Sequence, residues 1–459
     1  MKFGERRTVV SLAVLYAMRM LGLFMMLPVF SVLGQSLTGA TGYLIGLAIG
    51  AYGLSQAVLQ VPFGLLSDRY GRKKLIVVGL LIFAAGSIVA AVSESIYGVI
   101  AGRLLQGAGA IASVLMALLS DLTKEENRTK AMAVIGMSIG IAFSAALVLG
   151  PIVAGWFGLS GIFWLTACMA GMGIIIITFL VPTPVMGVRH RDAQPAMDMV
   201  SLALNNSELR RLDFGIFALH LCLTAVFVVL PLGLIENFQL GQTEHWPVYL
   251  SVTACSFFAM IPFIIVGEKK RKMKPVLLAA IALLSLSLLW LVFIDDSLTE
   301  MWFGLFAFFM AFNLLEASLP SLVSKISPAG VKGTAMGVYS MSQFLGAFFG
   351  GVCGGLVFQR WGIEVVYLFC SVVTGGWFLY ALSMKSPGYT TSLMVKLNGD
   401  LNPDDAQRIS MELAGIYGVE DVVVVVEERS AYLKVDQAKV DIDSIRHYSP
   451  FASGKCAVE

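Results

Sequence analysis

From residue 8 to residue 384 the chain is a succession of apolar runs, each closed by a short polar stretch. A helix needs about 20 apolar residues to cross a bilayer. On that measure the runs predict membrane helices at 8–33, 42–66, 75–93, 97–120, 131–156, 161–181, 213–236, 246–266, 275–294, 300–324, 333–358 and 364–384, numbered here as spans 1 to 12. The connections are short except for 182–212, which holds Pro182, Pro184, Pro195, Arg189 and Arg191. The pattern is six spans, a polar linker and six more. Beyond residue 386 it changes. Ser392–Asn398 alternates with the period of a strand, and Asn402-Pro403-Asp404-Asp405 is a helix start with a cap, an early proline and acids at the positive end. Ala406, Ile409, Leu413 and Ile416 then form one apolar stripe. Val422–Val426 and Ala431–Val435 read as strands, 440–446 as a short helix and 455–458 as a last strand.

These elements predict an all-α membrane protein of two six-helix halves, with a small C-terminal α+β domain. The predicted units are 1–182, a linker 183–212, 213–386 and 387–459. The order βαββα(β) of the last unit is that of a ferredoxin-like fold.

Composition agrees: 57% of the 459 residues are hydrophobic and 14% charged, against roughly a quarter charged in soluble domains. Charge is split. Residues 392–459 hold 7 Lys/Arg and 12 Asp/Glu, so an acidic tail follows a basic body. The bases have a side. The N-terminus, the even-numbered connections and the segment after span 12 hold 22 of them, the opposite connections only Arg360. The positive-inside rule places both ends in the cytoplasm. The first apolar run lacks a cleavage site and reads as a retained span rather than a signal peptide. The six cysteines form no CxxC pair and read as free structural thiols.

The halves look duplicated. Val61-Pro62-Phe63 with Asp68-Arg69 recurs as Ile261-Pro262-Phe263 with Glu268-Lys269, and Ala131-Met132-x-Val134 recurs as Ala335-Met336-x-Val338. Between spans 2 and 3 stands Gly64-x-Leu66-Ser67-Asp68-Arg69-x-Gly71-Arg72-Lys73. Gly71 permits a sharp turn and Gly64 a close helix approach. Asp68 can lie at the N-terminus of a neighbouring helix, where backbone N–H groups favour a carboxylate. Arg72 can meet Asp121 at the end of span 4. Alternatively, the bases of this stretch only anchor the loop inside.

Twelve spans in two halves, with this stretch in this connection, resemble the major facilitator superfamily over about residues 8–385. The stretch matches the family's motif A at every defining position. The resemblance implies alternating access between two halves, with Gly64, Asp68, Arg69, Gly71, Arg72 and Asp121 as a conformational switch. In it, Asp68 reaches the start of span 11 near Gly333-Thr334 while the cytoplasmic side is closed. It further implies a multi-pass protein of a bacterial inner membrane that exports drug-like or metabolite molecules against inward proton flow. The expected partners are a small-molecule substrate, protons and lipid. Nucleic acid, cofactor and metal are not expected, and the protein is expected to be a monomer. Arg103-x-x-Gln106-Gly107 resembles motif B, which assists proton handling. Gly150-Pro151 and Gly155 resemble the antiporter motif C in part, Met137 and Ala146 standing at earlier glycine positions.

Other residues are candidates by type and place. A charge within a span must face a cavity or a partner. Arg19 is thus a cavity cation or one member of a structural pair, and Arg103 faces the cavity or snorkels outward. Glu316, the acid well inside a predicted span, is a proton carrier or a structural hydrogen-bonding group. Asn313 lies one turn before it. Tyr52, Gln56 and Gln60 could line the cavity from span 2, and His220 either lines it or packs. The tail shares its topology with heavy-metal-associated domains, but its 398–402 loop has no cysteine, which speaks against thiolate metal binding. The tail would contact the transporter body or a regulator. No nucleophile–base pair, nucleotide loop or metal cluster supports an enzyme. Proton-coupled uptake of a small solute, and a non-transporting sensor signalling through the tail, remain alternative readings.

Overall fold

The structure, a computed structural model, describes residues 3–123, 125–183, 200–294, 296–328, 331–386, 390–397, 402–426, 429–436, 439–440 and 451–458. Span 1 is two helices, α1 (Phe3–Phe24) and α2 (Leu27–Leu33), with Pro28 at the start of the second. Span 2 is α3 (Gly42–Tyr70), which begins where the Thr41 side chain accepts from the Leu44 N–H. Gly71, at φ 98°, turns the chain directly into α4 (Arg72–Val92), which is span 3. Span 4 breaks at Gly109 into α5 (Ile96–Ala108) and α6 (Ala112–Leu122).

Spans 5 and 6 meet without a loop. They form one helical stretch, α7 (Glu125–Ile175), extended by a π-turn at Ile176–Leu180. Gly158, at φ 66° and ψ −169°, divides it. Among the described residues, eleven helical stretches are long and apolar enough to cross a membrane, and this 51-residue one is about twice the length one crossing needs.

A short helix α8 (Val200–Asn205) precedes α9 (Ser207–Glu236), capped by Asn206 through the N–H groups of Glu208 and Leu209. Span 7 therefore starts six residues before its apolar run does. The C-terminal half continues with α10 (His245–Lys269), α11 (Met273–Leu291), α12 (Leu298–Ile326), α13 (Lys332–Trp361) and α14 (Ile363–Leu382).

The halves meet along α3 and α13, at the end of α3 remote from Gly71. A Cβ added at Gly46 would come within 2.8 Å of the Gly355 Cα, and one at Gly50 within 3.0 Å of the Phe348 Cα. The Tyr43 N–H donates to Gln359 Oε1 at 2.9 Å. Small residues let the two backbones approach, and dispersion contacts then hold helices that gain nothing hydrophobic by leaving lipid.

The tail contains β1 (Thr390–Leu397), α15 (Pro403–Ala414), β2 (Val419–Val425), β3 (Ser430–Asp436) and β4 (Phe451–Val458). Its antiparallel sheet has the order β2-β3-β1-β4. Asn402 and Asp405 form a reciprocal capping box for α15. Ile409 and Leu413 from its apolar stripe pack on Leu393, Val395, Leu433 and Val435. Most of the expected helix at 440–446, most of the 398–402 loop, and Lys124, Pro184, Arg189, Arg191 and Pro195 lie outside the described residues.

Candidate functional site

Three polar groupings interrupt the apolar interior. The first surrounds Arg72, which is 8% exposed. Its Nε donates to Asp121 Oδ2 at 3.2 Å and its Nη1 to Ser67 Oγ at 2.5 Å, and it forms an ion pair with Asp68. Asp68 and Ser67 come from the end of α3, Arg72 from the start of α4, and Asp121 from the end of α6. The turn at Gly71 makes this possible, because it puts Arg72 beside the helix end it has just left. The expected Arg72–Asp121 contact is present. Lys73 donates to the carbonyls of Val181 (2.8 Å) and Thr178 (3.3 Å), so it closes the last turn of span 6. Arg69 is exposed and lies over the Tyr70 ring. Gly64 departs from expectation: a Cβ there would meet only Ser113 Oγ at 3.7 Å, an ordinary contact.

The second grouping lies inside the N-terminal half. Arg19 Nη2 donates to the Tyr52 hydroxyl (2.7 Å), Gln56 Oε1 (2.7 Å) and the Gly109 carbonyl (3.3 Å). Gln56 in turn donates to Gln60 Oε1 at 3.2 Å. Tyr52 and Gln56 thus turn onto Arg19 and Gln60 onto Gln56, all three buried, rather than presenting a polar wall. Arg103 is 2% exposed and does not snorkel. It donates to Gln106 Oε1 at 2.8 Å and to the carbonyls of Ala48 and Ile49 at 3.3 Å, and Gln106 donates to Ser87 Oγ at 2.8 Å.

The third lies in the C-terminal half. Glu316 of α12, His220 of α9 and Gln343 of α13 converge. Gln343 Nε2 stands 2.8 Å from His220 Nε2 and donates to Glu316 Oε1 at 3.2 Å, and His220 Nε2 is 3.8 Å from Glu316 Oε2. The glutamate side chain is 36% exposed. Asn313 turns away and donates to Ser256 Oγ of α10 at 3.2 Å. Asp213 changes the acid count. It lies in the second turn of α9, and it and Glu316 both act electrostatically on Tyr339 of α13.

Gly150 and Gly155 of α7 are packing positions. A Cβ at Gly150 would come within 2.8 Å of Pro28 Cγ, and one at Gly155 within 2.7 Å of Thr243 Cγ2 in the other half. Pro151 continues the same helix.

Residues that the sequence reading passed over complete these groupings. Lys325 Nζ pairs with Glu268 Oε2 at 2.6 Å. The internal repeat held the signal for it, since Lys325 follows Asp121 by the 204 residues that separate Ala335 from Ala131. Gln343 could have been noticed as a lone amide in an apolar run.

The sequence pattern of the Major Facilitator Superfamily matches residues 12–351 and 212–396. The chain belongs to that superfamily. It is 47% identical over 438 residues to the inner membrane transport protein YajR of Escherichia coli, covering 94% of this chain and 95% of that protein. It is 25% identical over 342 residues to the multidrug resistance protein MdtH of Aeromonas hydrophila, covering 73% of this chain and 83% of that one. Its fold is that of a solved bacterial homologue of the human lysosomal transporter Spinster, in an inward-facing and unoccupied conformation. The TM-score is 0.65 at 13% identity, over 84% of this chain and 98% of that one. The superfamily consists of transporters, and this multi-pass chain is a transporter rather than an enzyme.

Proposed function

We propose that this transporter exports small molecules in exchange for protons, with the two halves rocking about a midplane site and both chain ends in the cytoplasm of a bacterial inner membrane. The observation that carries the reading is the Glu316–His220–Gln343 grouping. It is an acid within a span, partly exposed, 3.8 Å from an imidazole and joined to it through the Gln343 amide. Gln343 belongs to α13, the helix that meets α3 of the other half, so protonation and rocking are mechanically adjacent. The name of the MdtH relative supports export. In this reading the Asp68–Arg72–Asp121 cluster stabilises the cytoplasmically closed state, with Asp68 against the start of α13. Gly150, Pro151 and Gly155 shape span 5.

The tail is read as a ferredoxin-like domain spanning 387–459, the two six-span units as 1–182 and 213–386, and the functional unit as a monomer. The sheet order and the packing of α15 on it support the first assignment. The tail touches the C-terminal half: Arg271 pairs with Asp436 at 3.4 Å, and Lys434 Nζ donates to the Lys325 carbonyl at 2.5 Å.

The test is reconstitution into proteoliposomes with an imposed pH gradient and a substrate panel. Substrate-dependent proton flux is expected in the wild type, with its loss in Glu316→Gln and retention of gradient-independent exchange. Full proton-driven transport by Glu316→Gln would remove the carrier role.

A further inference from the structure

The charged side chains inside the two halves differ in sign and in burial: Arg19 and Arg103 are buried, whereas Glu316 is partly exposed. Between the ends of its spans the N-terminal half holds Arg19 and Arg103 and no acid. The C-terminal half holds Glu316, with Asp213 in the second turn of α9 just after Arg210 and Arg211. Among the described residues neither arginine has an ion pair. Arg103 spends its donors on Gln106 and two carbonyls. Arg19 does not: all three of its hydrogen bonds leave from Nη2. Its Nε and Nη1 are buried and have no partner, in a side chain that is 3% exposed overall. Its guanidinium carbon stands 5.9 Å from the Tyr52 ring centroid, and that of Arg103 stands 5.3 Å from the same ring. Two cations therefore flank one aromatic ring, each bonded to neutral acceptors of its own.

A guanidinium taken out of water without a counter-charge is costly, and leaving donors idle adds to the cost. A structural arginine would be expected to have an acid on a facing helix. Here the seam between the halves runs close by instead. The Tyr52 ring lies 6.3 Å from Phe344 of α13, so Tyr52 is the N-terminal half's surface at the seam and Arg19 is directly behind it. Parting α3 from α13 would bare Tyr52 and leave Arg19 one side chain from the opening.

We infer that Arg19 receives an anionic group of the cargo, a carboxylate, and that the substrate is an organic anion. This rests on the transport reading above. The anion supplies the missing counter-charge, takes the idle donors, and is received on the half opposite the acids Glu316 and Asp213. Arg103 adds field without direct contact.

The test is binding, measured with no proton gradient. The full-length protein in nanodiscs is unfolded thermally with benzoate, benzamide or benzylamine, three rings differing in charge, and with acetate and hexanoate to vary size. A saturable rise in Tm is expected with at least one carboxylate and with neither benzamide nor benzylamine. Arg19→Gln should abolish it. Should that variant not fold, Arg19→Lys decides. It keeps the charge and loses guanidinium donors, so the carboxylate should bind about tenfold more weakly, the equivalent of one charge-assisted hydrogen bond. No shift with any carboxylate, an equal shift with benzylamine, or unchanged affinity in the arginine variants would overturn the inference. Carboxylate binding without proton-driven flux would count against the transport reading alone. Proton-driven flux of a neutral or cationic cargo, unaffected by Arg19→Lys, would count against this inference alone.

Discussion

Lys325 Nζ lies 2.6 Å from Glu268 Oε2, at the position where the duplicated unit of the other half sets Asp121 against Arg72. The two halves solve one problem with opposite charges. In the N-terminal half the span-4 end is acidic and draws a base from α4. In the C-terminal half the span-10 end is basic and draws the acid at the end of α10. Both join the ends of three neighbouring helices on the basic side of the protein. They differ in burial: the glutamate side chain is 43% exposed, whereas Arg72 is held between two acids and a serine. The C-terminal pair is therefore screened and weak.

A double-mutant cycle on Glu268→Gln and Lys325→Gln should give a coupling below ~1 kcal/mol, as for other surface pairs. Thermal unfolding in micelles measures it. A coupling of several kcal/mol would mean that the pair is shielded from solvent in the working protein.

Arg72→Ala should behave differently. It leaves Asp68 and Asp121 facing each other with their shared cation gone, and removal of one member of a buried ion pair costs about 3 kcal/mol. The same unfolding assay should show that loss. Arg72→Lys should recover part of it, because an ammonium cannot reach Asp121 and Ser67 at once in the forked geometry of the guanidinium.

Gly46→Val tests the seam. A side chain there collides with the backbone at Gly351 and Gly355. The end of the protein remote from Gly71 could not close, and transport should fall at least about tenfold, equivalent to 1.4 kcal/mol in the closing equilibrium. Folding should survive, since each half keeps its own packing. Normal transport by Gly46→Val would show that this contact is not used in the cycle.

Arg271→Ala should loosen the tail. The lost contact with Asp436 is a half-exposed ion pair, so the undocked population should rise by no more than about fivefold, the equivalent of ~1 kcal/mol. Limited proteolysis at the body–tail junction reads this directly. An unchanged cleavage rate would mean that contacts other than this ion pair, the Lys434–Lys325 hydrogen bond among them, set docking.

The first strand and the helix α15 of the tail were readable because their periods are local. Alternation marks β1, and the Asn402 cap and the Ile409–Leu413 stripe mark α15. The motif around Asp68 was readable as well, because its charges must sit at a membrane surface whatever the helices do. Three features were not. Asp213 stood at the edge of an apolar run, and only the Asn206 cap showed that the helix begins before it. Gly64 fitted a close approach by type, yet faces only Ser113. Tyr52 and Gln56 fitted a cavity wall by spacing, yet close on Arg19.

By itself the sequence located the apolar runs long enough to cross a bilayer, the connections that carry the bases, and the change of pattern at which the strands and helix of the tail begin. The first two follow from the length and charge of contiguous segments in a bilayer of fixed thickness, the third from local periodicity. Only the tertiary structure decided which polar group meets which: Arg19 with Tyr52, Glu316 with His220 and Gln343, Glu268 with Lys325. The physical reason is that lipid tails are as apolar as the side chains of neighbouring helices, so hydrophobicity sets no helix's rotation. That rotation is fixed by backbone approach at small residues such as Gly46 and Gly355 and by the partners that buried charges find.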